Sequence, residues 1–233
     1  MSDAPKPHAI YCHGFASSPR TTAKGQALRA ALSKECASFE IPHLQCGDFV
    51  DLRMDGMAEA LQRQIASLPD DGAPLLLCGS SLGAYLLAWQ ASLGLPRPAG
   101  LLLIAPAFTF VSKWRQLLGE EALAQWRAEG TRRFYHHGEK CELPLGVGFI
   151  DSCEGLPDVP QATALPTVVI HGRHDETAPW PQALGYAGAA SHGEFHLLDD
   201  GHSLEGDQAT AMIINRARVL LQRLQAPAEA QQQ

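Results

Sequence analysis

The chain has 233 residues, 45% of them hydrophobic and 18% charged, which suffices for one sizeable core and matches the size of a single α/β domain. Its net charge of −7 offers no broad basic field, which argues against nucleic acid or an anionic membrane as a partner. Met1 to His8 lacks the apolar segment of a secretion signal, no stretch approaches a membrane span, and the six cysteines include no C-x-x-C pair, so reduced thiols and a cytoplasmic location are expected.

In chain order, His8 to Cys12 reads as a short first strand that runs into His13-Gly14-Phe15 and a cluster of turn residues ending at Pro19. A helix is expected from about Thr21 to Cys36, with Ala23, Ala27, Leu28, Ala30 and Ala31 on its apolar face, and a second strand from Ala37 to Leu44. After a polar loop at Gly47-Asp48 come a helix from about Met54 to Leu68 and the turn Pro69 to Pro74. Leu75-Leu-Leu-Cys78 is then the kind of apolar run shown by a parallel strand buried on both faces, and Leu82 to Ala91, apolar nearly all round, suits a buried helix. Gly100 to Pro106, Thr167 to Gly172 and Glu194 to Asp199 read as three more strands, with helices at Trp180 to Ala190 and Asp207 to Gln225. This alternation predicts one domain over residues 1–233, with about six mainly parallel strands wound on both faces and a functional site at the strands' C-terminal ends. The tail from 226 to 233 is expected to fray.

One segment, about 108–165, breaks the alternation and reads as a cap. Trp114, Leu117 and Leu118, then Leu123 and Trp126, recur at helical spacing, with Gly119 and Gly130 as stop signals after two short helices. Arg132 to His137 and Val147 to Asp151 are expected to pair as a small hairpin. The aromatic residues of this segment suit cap packing, and Trp114 and Trp126 are candidates to line an acyl pocket.

The chemistry centres on Gly79-Ser80-Ser81-Leu82-Gly83, a G-x-S-x-G pattern between a buried strand and a helix. A serine at such a sharp turn is exposed at its tip, and the flanking glycines let the backbones approach closely. A hydroxyl nucleophile needs a base within hydrogen-bond reach, and the base needs an acid that fixes its tautomer. Asp175, in His171-Gly-Arg-His-Asp175, and His202, in Asp199-Asp-Gly-His202, follow in the order serine, acid, histidine, each on a loop after a strand. Glu176 competes with Asp175 for the acid position, and Asp199 and Asp200 also stand near His202 in sequence. The backbone N–H groups of Leu82 and Phe15 occupy the positions of an oxyanion hole, and Phe15 and His13 are candidates for contact with substrate. Activity should rise with pH as the base loses its proton.

The strand-HG loop, G-x-S-x-G, H-G-x-x-D and D-G-H fragments, spread from Ile10 to Ser203, make this chain resemble an α/β-hydrolase. More narrowly, Tyr11-Cys-His-Gly-Phe-Ala-Ser-Ser-Pro19 with Lys24-Gly25, together with Gly-Ser-Ser-Leu-Gly, is similar to the small bacterial serine esterases of the YqiA-like type and their acyl-protein thioesterase relatives. The resemblance implies hydrolysis of carboxylic esters or thioesters, on a small-molecule or acylated substrate, without metal or organic cofactor. It also implies Ser81 as nucleophile, His202 as base and Asp175 as its orienting acid. His13 arrives too early for the antiparallel strand pair that opens most members of the fold, so the sheet should be trimmed at one edge. Ser17, Ser18, Arg20 and Lys24 are shared with the narrower family, and their simplest role is to anchor the loop.

A zinc hydrolase lacks H-E-x-x-H here, and His136-His137 as strand neighbours point to opposite faces. Dehalogenases of the fold carry a carboxylate at the position of Ser81. A carbon–carbon bond hydrolase or an acyltransferase uses the same triad, and a non-catalytic binding protein on the same fold is the alternative from another class.

Overall fold

A computed structural model describes residues 5–45 and 47–225. The Cys46 thiol and the fraying expected for 226–233 lie outside the described residues. Six strands form one sheet in the order β2-β1-β3-β4-β7-β8, and every pairing is parallel. They are β1 (His8–Cys12), β2 (Ser38–Glu40), β3 (Leu75–Ser80), β4 (Pro98–Ile104), β7 (Thr167–Gly172) and β8 (Gly193–Leu198).

β1, β3 and β7 are buried along their whole length, as their apolar runs require. Alternate side chains serve two cores. Ile10, Leu75, Leu77, Leu101, Leu103 and Val169 face α2 (Met54–Ala66) and α3 (Leu82–Ser92), whereas Tyr11, Leu76, Cys78, Leu102, Ile104 and Ile170 face α1 (Ala23–Leu32) and α7 (Asp207–Gln225). α2 earns its place through Met54, Met57, Ala58, Leu61 and Ile65 at helical spacing, and α7 through Ala209, Ile213, Ala217, Leu220 and Leu221. Each fully buried leucine of these faces contributes about 1.5–3 kcal/mol. The fold is the α/β-hydrolase architecture that the motifs imply.

β2 is shorter than the expected Ala37 to Leu44. It ends at Glu40, two residues before Pro42, which has no N–H to continue a ladder. The larger correction lies between β4 and β7, in the segment read from the sequence as a cap. The expected strand Arg132 to His137 lies at Thr131–His136 (β5), but its antiparallel partner is β6 (Cys141–Gly146), with Arg133 opposite Pro144. Val147 to Asp151, the expected partner, instead enters the short helix α5 (Gly148–Ser152). Pro144 disguises β6 as a breaker, yet each strand of a two-stranded hairpin has an outer edge on which a missing N–H costs nothing.

The other expectation for the cap matches. α4 (Phe110–Glu129) is interrupted at Gly119, whose φ of 72° and ψ of 164° divide it into two helical segments, and Gly130 ends the second with φ 75° and its N–H on the Trp126 carbonyl. α6 (Trp180–Ala189) connects β7 to β8.

Candidate active site

The ends of β1, β3 and β7 meet at one edge because parallel register aligns them. Cys12 stands opposite Gly79, Ser80 opposite Ile104, and Ile104 opposite Ile170. The loops that leave those positions therefore converge, as ligand sites of open α/β sheets do.

Ser81 sits at φ 54° and ψ −119°, a backbone conformation that L-residues rarely adopt and that surrounding contacts must enforce. Its N–H donates to the Ile104 carbonyl at 2.9 Å, and its own carbonyl accepts from Tyr85 at 3.0 Å and Ala107 at 3.1 Å. The glycines make the turn possible by leaving no room for a side chain. A Cβ on Gly79 would lie 2.8 Å from the Gly83 carbonyl, and one on Gly83 would lie 2.2 Å from the carbonyl oxygen of Cys12. Gly14 brings the first loop equally close, since its Cβ would stand 3.3 Å from that of Ser81.

A second glycine contact brings the base and acid loops together. A Cβ on Gly172 would meet the Gly201 carbonyl oxygen at 2.2 Å, so the loops after β7 and β8 cross backbone to backbone. There the Nδ1–H of His202 donates to Asp175 Oδ2 at 2.6 Å, and its Nε2 faces Ser81 Oγ at 2.9 Å, positioned to accept the hydroxyl proton. Ser81, His202 and Asp175 are thus brought together as one hydrogen-bonded relay. Glu176 is not part of it, and Asp199 is engaged by His174 at 2.7 Å while Asp200 accepts from the Gly201 N–H. Ser80 is buried at the end of β3 and takes no part in the relay.

Asp175 is held more fully than its motif suggests. Oδ1 accepts the N–H groups of Thr177 and Ala178 at 2.9 and 2.8 Å, and Oδ2 also accepts Nε2–H of His171 at 3.0 Å. Burial by itself would raise the Asp175 pKa, but hydrogen bonds from His171, His202 and Ala178 outweigh it and hold the carboxyl well below its ordinary range. Because both neighbours of His171 Nε2, Asp175 and the Ala178 carbonyl at 2.9 Å, are acceptors, that nitrogen carries the proton. His171, four residues before Asp175 in the same motif, thus holds the carboxylate from a second side, a contact that the motif by itself does not mark.

Leu82 opens α3, so its N–H is one of the helix's unpaired donors beside the serine. Phe15 lies on the loop that Gly14 presses against the elbow. Its ring joins Trp114 at 5.2 Å, Phe49 at 5.4 Å and Phe149 at 5.6 Å. Beside Ser81 a cleft of about 390 Å³ opens between the rings of Phe15, Trp114 and Phe149, Phe110, Leu117 and the acid loop, within the roughly 300–1,000 Å³ typical of small-ligand pockets. Lys113 spans its rim, its ammonium donating to the carbonyls of Glu176 and Thr177. It thereby ties α4 to the acid loop.

Trp114 lines this cleft, but Trp126 and His13 do not. Trp126 is buried behind the wall, where its indole N–H donates to Leu145 at 3.1 Å, so its aromatic surface goes to cap packing. His13 is buried beneath the first loop, with Nδ1–H donating to the Gly14 carbonyl at 3.0 Å. Burial pushes its pKa down to about 4, and the neighbouring His43 and His136 act in the same direction. Neither residue is placed to touch a ligand in the cleft. Among the described residues no cluster of His, Cys, Asp and Glu is arranged to hold a metal ion, and no helix is long and apolar enough to cross a membrane.

The backbone is shared with solved α/β-hydrolase-fold structures. Alpha/beta hydrolase domain-containing protein 10 from mouse superposes with a TM-score of 0.74 at 20% identity, covering 95% of this chain and 92% of its own. Est1E from Butyrivibrio proteoclasticus, with ferulic acid bound, gives 0.73 at 15% identity over 94% and 90% of the two chains. Monoglyceride lipase from Saccharomyces cerevisiae gives 0.68 at 15% over 97% and 89%. At these identities the likeness is one of fold. No curated protein matches the chain in sequence. Residues 8–205 match the model of UPF0227, an uncharacterised protein family, and the chain belongs to that family.

Proposed function

We propose that this protein is a serine hydrolase of carboxylic esters or thioesters, with Ser81 as nucleophile, His202 as general base and Asp175 as its orienting acid. The observation that carries this reading is the relay from Ser81 Oγ through His202 to Asp175, at 2.9 and 2.6 Å, with the serine on a strained strand-to-helix turn. In the proposed reaction Ser81 Oγ attacks the acyl carbon as its proton passes to His202 Nε2. The carbonyl electron pair moves to oxygen, where the N–H groups of Leu82 and Phe15 stabilise the oxyanion. Collapse of this intermediate expels the alcohol or thiol, which takes the proton from His202 and leaves an acyl-serine. Water, deprotonated by the same imidazole, then releases the acid and regenerates Ser81.

The cleft supports a compact, largely apolar acyl group. Phe15, Trp114 and Phe149 pack on one another, and Phe134 stacks behind Trp114 at 5.2 Å with planes 10° apart, so this wall cannot readily fold away. Residues 108–165 would act as the cap of a single catalytic domain, selecting the acyl chain. One similar structure is named as a lipase, the yeast monoglyceride lipase, and another, Est1E, holds ferulic acid, a carboxylic acid, in keeping with this class.

A fluorophosphonate probe that labels the wild type and leaves Ser81→Ala unlabelled is the expected result, together with hydrolysis of p-nitrophenyl butyrate that is lost in the variant. A folded wild type that neither takes the label nor turns over any ester or thioester of an acyl-length series would sink the proposal. Label that persists in Ser81→Ala would place the nucleophile elsewhere.

A further inference from the structure

The segment from Ser17 to Lys24 does more than close a turn. Ser18 is buried, its hydroxyl within 3.0 Å of Thr21 Oγ1 and its carbonyl accepting the N–H groups of Thr21 and Thr22, both at 3.1 Å. This fixes the entry to α1. Gly25 then sets the helix directly on β1, because a Cβ there would lie 2.7 Å from the Tyr11 ring and 2.8 Å from Thr22. One residue before that contact, Lys24 reaches away from its own helix. Its ammonium donates to the carbonyl of Ser203, 179 residues later and adjacent to His202.

The loop that carries His202 is held differently on its two sides. Before the histidine, backbone bonds fasten it to the acid loop: Arg173 N–H to Leu198 at 2.8 Å and His174 N–H to Asp200 at 2.9 Å, with Gly172 crossing Gly201. After the histidine, Leu204 is buried at φ 47°, and the exposed Ser203 between them has its carbonyl on Lys24. Lys24 is half-buried, which holds its pKa below the ordinary value, and the carboxylates of Glu205 and Asp200 offset part of that cost.

Resting on the esterase reading above, we infer that Lys24 is a positioning residue for His202: its ammonium fixes the far side of the base's loop through the Ser203 carbonyl, so the imidazole reaches Ser81 and Asp175 at once. The imidazole itself is held by Asp175 from the acid loop and Ser81 from the elbow, while Lys24 from α1 holds the backbone of its loop one residue later.

The test compares Lys24→Met, which keeps the aliphatic stem, with Lys24→Arg, which keeps the charge and a donor. For Lys24→Met, kcat on p-nitrophenyl butyrate should fall by about tenfold to a hundredfold, the scale of losing a properly placed reacting group. KM should stay near wild type, because Lys24 does not line the cleft. The rate of fluorophosphonate labelling should fall in parallel, and Lys24→Arg should recover most of the rate. Wild-type labelling shows that the hydrolase reading stands, so Lys24→Met with the wild-type labelling rate and kcat overturns this inference alone. Thermal melting identifies a variant that fails to fold. Lys24→Leu, smaller and without a donor, then takes its place, and a wild-type labelling rate and kcat in that variant overturns the inference equally.

Discussion

The elbow and the cap wall sit on either side of the same cleft and are built on opposite principles. Around Ser81 the closest approaches are between backbones: Gly79 against Gly83, Gly83 against Cys12, Gly172 against Gly201. In the cap wall they are between side chains, with Phe15, Trp114, Phe134 and Phe149 packed ring on ring. Backbones cannot repack, whereas side chains can change rotamer and fill a gap partially. The chemical frame should therefore fail all at once when disturbed, and the wall should fail by degrees.

The sharpest way to press that contrast is to alter one atom of the relay. Asp175→Asn keeps the volume but replaces an acceptor with an amide that can turn a donor toward His202 Nδ1, favouring the wrong tautomer. By analogy with other triads, kcat should drop by about 10⁴ while KM changes little. Steady-state kinetics read this directly, and a loss of less than about tenfold would remove Asp175 from the proposed role.

Next comes the frame itself. Gly83→Ala adds one methyl at 2.2 Å from the Cys12 carbonyl, with backbone on both sides of the contact. A loss of about 3 kcal/mol is expected, near the top of the overpacking range, or a fall in Tm of roughly 10 °C. If thermal or urea unfolding finds Gly83→Ala within about 0.5 kcal/mol of wild type, the rigidity assigned to the elbow is wrong.

The frame also stores a pH dependence that the wall does not. His13 is held neutral, with its pKa lowered from the ordinary 6.5 to about 4. The unfolded chain therefore binds the extra proton first, so the contribution of His13 is complete above about pH 6.5 and is lost as pH falls toward 4, at most about 3 kcal/mol in all. His13→Asn should flatten the stability profile across that window, as followed by urea unfolding at several pH values. An unchanged slope would assign the dependence to other groups. Asp175, whose carboxyl is also held low, acts in a lower window: its contribution is present above about pH 4 and declines below it.

The smallest effect belongs to the wall. Trp114→Ala widens the cleft but leaves Phe15, Phe110 and Phe149 in place, so kcat/KM for p-nitrophenyl butyrate should fall only about tenfold, and preference should shift toward bulkier acyl groups. An acyl-length series checks this. A uniform loss across the series, or a collapse as large as that expected of Asp175→Asn, would erase the distinction between wall and frame.

The local sequence determined the strands and the three loop residues of the relay because each signal is short-range. A buried parallel strand is written as an apolar run, and a glycine at its end marks where two backbones must pass, so Ser81, Asp175 and His202 are each legible within about ten residues. Glu176 was a real competitor at that level, since adjacent carboxylates differ only in where the turn aims them. Tertiary structure decided the remainder. It placed His171 on Asp175, sent Trp126 into the cap interior and Trp114 into the cleft, and paired β5 with a strand that Pro144 had concealed. It also brought Lys24 to Ser203 across 179 residues. The physical reason is common to all of these: burial, reach and the choice of hydrogen-bond partner depend on which elements pack together, and no local pattern encodes a neighbour that arrives from elsewhere in the chain.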